Sequence, residues 1–169
     1  MKYIYLFFAI SLLHCVAAPQ VAGQFSNTEF EAMADQMAKG KVKDLSVQKV
    51  KANQSDYLLL DTRERTEYEI SHIEGAVWVG YDDFSIDRIP AVAKNTKLVT
   101  YCSVGYRSER IGEKLQKAGF TSVYNLHGSI FKWINEGYPV LDNAGKPTQS
   151  VHGYNQKWGK WIKKGAVVY

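Results

Sequence analysis

The spacing of hydrophobic positions changes along the chain, and the changes mark its elements. Between residues 24 and 43, Phe30, Met33 and Met37 recur at helical spacing. Polar Asn27-Thr28 can cap that helix and Gly40 stops it. Ser46 opens a second short helix carrying Val47, Val50 and Ala52, and Asn53 to Asp56 is a turn cluster. The period then shortens. Tyr57 to Asp61 is a continuous apolar run between turns, which predicts a strand covered on both faces. Residues 76–79, 97–101 and 121–126 predict three more strands. Helical segments fill the intervals: a turn over 67–70, a short helix between Phe84 and Ala93 interrupted by Pro90, and an amphipathic helix over 107–117 with Ile111 and Leu115 on its stripe. A last one over 129–135 carries Ile130, Phe131 and Trp133, and Gly119 and Gly137 end the final two. Strands alternating with helices predict an α/β fold, a central mostly parallel β-sheet flanked by helices on both faces.

The two ends differ from this middle. Lys2 precedes an apolar run of 11 residues, Tyr3 to Leu13, and Val21-Ala22-Gly23 follows as a small-residue cleavage site. This is the pattern of a secretory signal peptide, too short for a membrane span of about 20 residues. The expectation is export, to the periplasm, with a lipoprotein form through Cys15 or a signal-anchored form as alternatives. The mature chain would then have no transmembrane segment. From Asn143 onward the chain has five Lys, no acidic residue, and Trp158 and Trp161. It reads as an arm laid over the domain, helical near 156–164, that packs through its tryptophans and covers the active loop, with an anionic lipid surface as the alternative contact. The expected organisation is a signal peptide over 1–23, an N-terminal helical arm over 24–44, a domain over 45–142 and a basic aromatic arm over 143–169.

Composition narrows the function classes. The chain has 169 residues, 46% of them apolar and 22% charged, with a net charge of +4. These globular values exclude a disordered, collagen-like or coiled-coil protein. Two cysteines exclude a disulfide scaffold and a Cys-rich zinc module. Loss of residues 1–23 would leave Cys102 as the one thiol. The small charge gives no reason to expect nucleic acid as a partner.

Cys102 stands where chemistry is expected. It follows an apolar strand and begins a Ser103-Val104-Gly105-Tyr106-Arg107-Ser108 turn that opens a helix. Ligands of open α/β sheets bind beyond the carboxyl ends of strands. The helix start directs unpaired N–H groups and about half a positive charge at the sulfur. Gly105 lets the loop fold back, and Arg107 adds a full charge. These features lower a thiol's pKa from about 8.5 and favour the thiolate, which is the nucleophile. Four residues separate Cys102 from Arg107. Cys-based phosphatases and arsenate reductases have five, so this loop suits one added sulfur better than a phosphoryl group.

At this point residues 45–140 resemble the rhodanese-like family. Leu58 to Glu64 is similar to its first-strand motif, Glu67-Tyr68-Glu69 with His72-Ile73-Glu74-Gly75-Ala76 to its second, and Tyr101 to Ser108 to its active-site loop. Gly128 to Trp133 and Gly137 to Val140 are similar to its closing motif. Ser71 stands where Gly often precedes the His, and Ser129 where a second Gly is usual. The resemblance implies a thiosulfate sulfurtransferase, a rhodanese. Cys102 would take sulfur from a donor such as thiosulfate and pass it, as a persulfide, to cyanide or a thiol, a protein thiol included. Ser103, Val104, Gly105, Tyr106 and Arg107 would bind the substrate anion, and no metal or cofactor is implied. The alternatives are a persulfide carrier that docks a partner without turnover, and a Cys-dependent phosphatase or arsenate reductase. Asp61 with Arg63 is expected to be a structural ion pair, His72 a packed structural residue, and His127 a neighbour of the site's border.

Overall fold

A computed structural model describes residues 26–169. Five strands form one parallel sheet: β1 (Lys43–Leu45), β2 (Leu58–Asp61), β3 (Val77–Trp78), β4 (Leu98–Tyr101) and β5 (Val123–Leu126), in the order β1-β5-β4-β2-β3. Side chains alternate across each strand. Leu59, Val99 and Tyr101 therefore face one apolar layer, and Leu60 and Leu98 the other. Both faces must be covered. Helices α1 (Asn27–Met37), α2 (Val47–Ala52) and α5 (Ser129–Asn135) bury Phe30, Val50, Phe131 and Trp133 against the first layer. Helix α4 (Tyr106–Lys117) buries Ile111 and Leu115 against the second. Each such side chain contributes about 1.5–3 kcal/mol on leaving water.

The helical arm, the four expected strands and the main helices are present with shifted ends. Ser26, rather than Asn27-Thr28, caps α1: its hydroxyl accepts from the Glu29 N–H, and Glu29 returns the bond to the Ser26 N–H. Such a box is worth about 1 kcal/mol. Residues 65–70 form the short helix α3, and the segment after Phe84 holds only a 3-10 turn at Ile86–Arg88. Strand β1 has no counterpart in the sequence pattern. Three residues are too few to show a period, and it forms because β5 offers it a parallel edge.

The C-terminal arm carries more strand than its composition implies. Val140–Leu141 (β6) pairs antiparallel with Pro147–Thr148 (β7), and Ser150–His152 (β8) pairs parallel with Ala166–Val168 (β9). Its helix is the single turn α6 (Gln156–Gly159), shorter than 156–164. Trp158 and Trp161 pack against the layer that holds Phe30 and Trp133. The expected signal segment, 1–23, with Cys15, lies outside the described residues. No described helix is long and apolar enough to cross a membrane.

Candidate active site

The site is built where β4 ends. Cys102 follows the strand directly, and Gly105, at φ +118°, turns the loop into α4. A residue with a side chain resists that angle. The turn places the Gly105 N–H 3.2 Å from Cys102 Sγ, and the Ser108 hydroxyl 3.6 Å from it. The loop is fixed from behind as well. The Cys102 N–H donates to Ser129 Oγ at 3.1 Å, and the carbonyls of Cys102 and Ser103 accept from the N–H groups of Ile130 and Phe131 in the first turn of α5. Ser129 itself adopts φ +53°. A serine at that position, which glycine fills without strain, supplies the hydroxyl that holds the cysteine's amide.

The sulfur is almost fully buried, at 1% exposure. Burial alone would push its thiol up. The Arg107 charge, the Ser108 and Gly105 N–H groups and the Ser108 hydroxyl outweigh burial and hold the thiol below its ordinary range. The pocket therefore favours a thiolate.

Arg107 does not reach freely into the cleft. Its guanidinium forks onto Glu67, Nη1 to Oε2 at 2.7 Å and Nη2 to Oε1 at 2.9 Å, and Nη2 also donates to Ser103 Oγ at 3.0 Å. Ser103 Oγ in turn donates to Glu67 at 3.2 Å. Burial raises the Glu67 carboxyl, but the Arg107 bonds and charge hold it below the usual carboxylate range. Arg107 is thus a brace across the loop with its positive field on the sulfur. Of the other loop residues, Val104 and Tyr106 line the cleft beside Cys102 and Ser103.

Two residues beyond the loop extend this support. Ser108 Oγ donates to Asn125 Oδ1 at 2.7 Å, and Asn125 Nδ2 donates to Asp44 Oδ1 at 3.0 Å. Asp44 meets His127, whose other ring nitrogen lies 3.1 Å from Glu31. His127 therefore stands in a carboxylate cluster behind the site, and its bond to Asp44 leads the effects that raise it above the usual histidine range despite burial. His72 is stacked on Tyr68 with its Nδ1 on the Tyr68 carbonyl, a packed position. Asp61 and Arg63 form a pair with both side chains at 0% exposure.

From sequence, Glu67 has only a place in a family motif, Ser129 is noted only as a departure from the family pattern, and Asn125 is not singled out. The available signal for Glu67 was Arg107 itself, because a near-buried guanidinium needs a carboxylate. The cleft over the sulfur, about 580 Å³, is walled by Met37 from α1, Glu64, Tyr81 and Asp82 from the loops after β2 and β3, and Tyr154 and Trp158 from the C-terminal arm. The arm borders the active loop.

The sequence profile of the rhodanese-like domain matches residues 46–136. A tRNA uridine(34) hydroxylase of Aster yellows witches'-broom phytoplasma is 35% identical over 85 residues, 47% of this chain and 28% of that protein. One from Photorhabdus laumondii is 34% identical over 95 residues, 50% of this chain and 27% of that protein. The chain thus spans less than a third of the length of these relatives. Among solved structures, a rhodanese-related protein from Thermoplasma volcanium superposes with a TM-score of 0.53 at 26% identity, covering 59% of this chain and 97% of that one. A thiosulfate sulfurtransferase from Pseudomonas aeruginosa shares the fold, with a TM-score of 0.56 at 20% identity over 69% of this chain and 23% of that one.

These relatives correct one expectation. Export to the periplasm, with its lipoprotein and signal-anchored alternatives, does not stand against relatives named as tRNA uridine(34) hydroxylases. The same names stand against the expectation that nucleic acid is no partner.

Proposed function

Because the chain belongs to the rhodanese-like domain family, we propose that it is a sulfurtransferase that works through a persulfide on Cys102. The observation that carries this reading is the thiol's setting: a buried sulfur at a helix start, 3.2 Å from the Gly105 N–H, with the Arg107 charge and the Gly105 and Ser108 N–H groups lowering its pKa. The Cys102 thiolate attacks the outer sulfur of a donor such as thiosulfate. The donor's S–S bond breaks and its electron pair leaves with sulfite. The persulfide anion that remains carries its charge on the outer sulfur, one bond beyond Cys102 Sγ, at the same helix start and in the field of Arg107. An acceptor, cyanide or a thiol, then attacks the outer sulfur and returns the electron pair to Cys102. Gly105, with the first-turn amides of α4, binds the anion. Ser103 and Arg107 keep the loop in shape, and Val104 and Tyr106 border the substrate.

Intact mass tests the reading. After incubation with thiosulfate, the protein should gain one sulfur, about 32 Da, and lose it on addition of cyanide, as covalent catalysis in two steps requires. Cys102→Ser should gain nothing. An unchanged mass with Cys102 reduced and alkylatable would sink it.

One observation favours a second reading, a persulfide carrier serving a partner: in the tRNA uridine(34) hydroxylases the shared region is less than a third of the protein. Repeated turnover with thiosulfate and cyanide distinguishes an enzyme from a carrier, which would discharge once.

A further inference from the structure

The cleft over Cys102 is larger than small inorganic ions need. About 580 Å³ falls in the range of roughly 300–1,000 Å³ of sites that enclose whole organic molecules. Three of its walls, Met37, Tyr154 and Trp158, lie outside residues 46–136 of the family match. Met37 and Trp158 are firm, because both also pack on the main apolar layer.

Tyr154 is the most telling wall. Its backbone sits at φ +62°, a left-handed conformation that costs a bulky residue on the order of 1–3 kcal/mol. Core packing does not explain this, since the side chain is 49% exposed. The turn is held by the Tyr154 N–H donating to His152 Nδ1 at 3.0 Å. Its effect is to set the ring 5.0 Å from the Arg107 guanidinium, beside the sulfur's loop.

The charges of the cleft select further. Glu67 takes both arms of Arg107. Glu64, Asp82 and Lys39 also line the cleft. Burial, and then the Asp82 charge, hold the Glu64 carboxyl above the usual range, the mark of a locally negative edge.

We infer that the cleft takes, as its sulfur acceptor, a thiol whose body is a flat aromatic or heteroaromatic ring without negative charge, seated against Tyr154 and Trp158. This rests on the Cys102 persulfide reading and names its acceptor class. The acceptor thiol attacks the outer sulfur of the persulfide anion as its proton passes to that sulfur. A new S–S bond forms on the acceptor, the bond to Cys102 breaks, and its electron pair restores the Cys102 thiolate. The acceptor leaves as a hydropersulfide carrying the proton of its thiol.

The test has two arms. In the first, the thiosulfate-loaded protein is discharged by thiophenol, 4-mercaptobenzoate or cyanide, and the rates are read by mass. Contacts with one aromatic ring are worth roughly 0.5–1.5 kcal/mol, so Tyr154→Ala should lower the thiophenol-to-cyanide rate ratio by about two- to twelvefold. Tyr154→Phe should restore it, and Glu64→Gln should narrow the preference for thiophenol over 4-mercaptobenzoate. In the second arm, ligand-observed NMR follows thioanisole, an unreactive analogue, on the unloaded protein. Binding should weaken in Tyr154→Ala by the same factor. An unchanged rate ratio and unchanged thioanisole binding in Tyr154→Ala would overturn the inference while leaving the persulfide intact. Failure of the wild type to load sulfur would overturn the persulfide reading and the acceptor with it, whatever thioanisole does.

Discussion

Arg63 and Arg107 each fork onto a carboxylate, yet the two pairs do different things. Arg63 reaches Asp61 through Nε and Nη2, and Nη2 also donates to the Ser71 carbonyl at 2.6 Å. Neither side chain of that pair touches solvent. It ties the end of β2 to the chain leaving α3, and desolvation makes it a closed structural unit. Arg107 makes the same fork on Glu67 but keeps 11% of its side chain exposed, at the wall of the cleft. Its field falls on the Cys102 sulfur. Burial depth and the neighbouring group, not the pairing itself, decide whether such a fork only holds the fold or also tunes a nucleophile.

The comparison can be broken most directly at the deeper pair. Arg63→Met should cost about 3–5 kcal/mol, because Asp61 would be left charged and unpaired in the interior, as read by chemical denaturation. The alkylation profile of Cys102 should stay close to that of the wild type. A large shift of that profile, with little loss of stability, would invert the two roles.

The outer pair should answer in the opposite currency. Wild-type Cys102 is expected to alkylate with a midpoint below about pH 8.5, the free-thiol value. In Arg107→Met the midpoint should rise, since burial is then less opposed, and sulfur loading at neutral pH should fall. In Glu67→Gln the midpoint should fall below that of the wild type, since the Arg107 charge is no longer shared. The Glu67 carboxyl is depressed in the fold, so its stabilisation is complete above about pH 4.3, its ordinary value, and is lost as pH falls through the depressed one. Acid titration of wild type beside Glu67→Gln checks that sign.

The smallest effect belongs to His127 and sharpens the comparison with a cluster that titrates near neutrality. Its raised pKa means that its contribution is complete below about pH 6.5 and is lost as pH rises through the raised value. His127→Gln should therefore lower stability by about 0.5–1 kcal/mol at pH 6, and the gap should close on the alkaline side. A gap that widens with pH would contradict the placement against Glu31, Asp35 and Asp44.

The strands that the chain buries on both faces were readable because their apolar runs are continuous, and Cys102 was readable because a strand, a glycine turn and an arginine come in one short stretch. What escaped depends on partners far away in sequence. Strand β1 is three residues long and exists by pairing with β5. Asn125 alternates with apolar neighbours in β5 and looks like an outward polar position, yet it is fully buried between Ser108 and Asp44. Glu67 sits between Glu64 and Glu69, and only the fold turns it toward Arg107. The strands of the arm, β8 and β9, pair across a loop that no local pattern announces.

The sheet's strand order has a kinetic consequence. Every ladder in it is parallel, and β1 joins β5 with Lys43 opposite Tyr124. Such distant pairings require long loops to close first, which places folding toward the slow end for a domain of this size. Asp44 lies on that same edge strand and anchors the Asn125–Ser108 path to the sulfur. The thiol therefore acquires its full surroundings only once the two ends of the sheet's sequence have met. During refolding, a pulse of alkylating reagent would report the arrival of β1 through the reactivity of Cys102, a clock for the final closure of the domain.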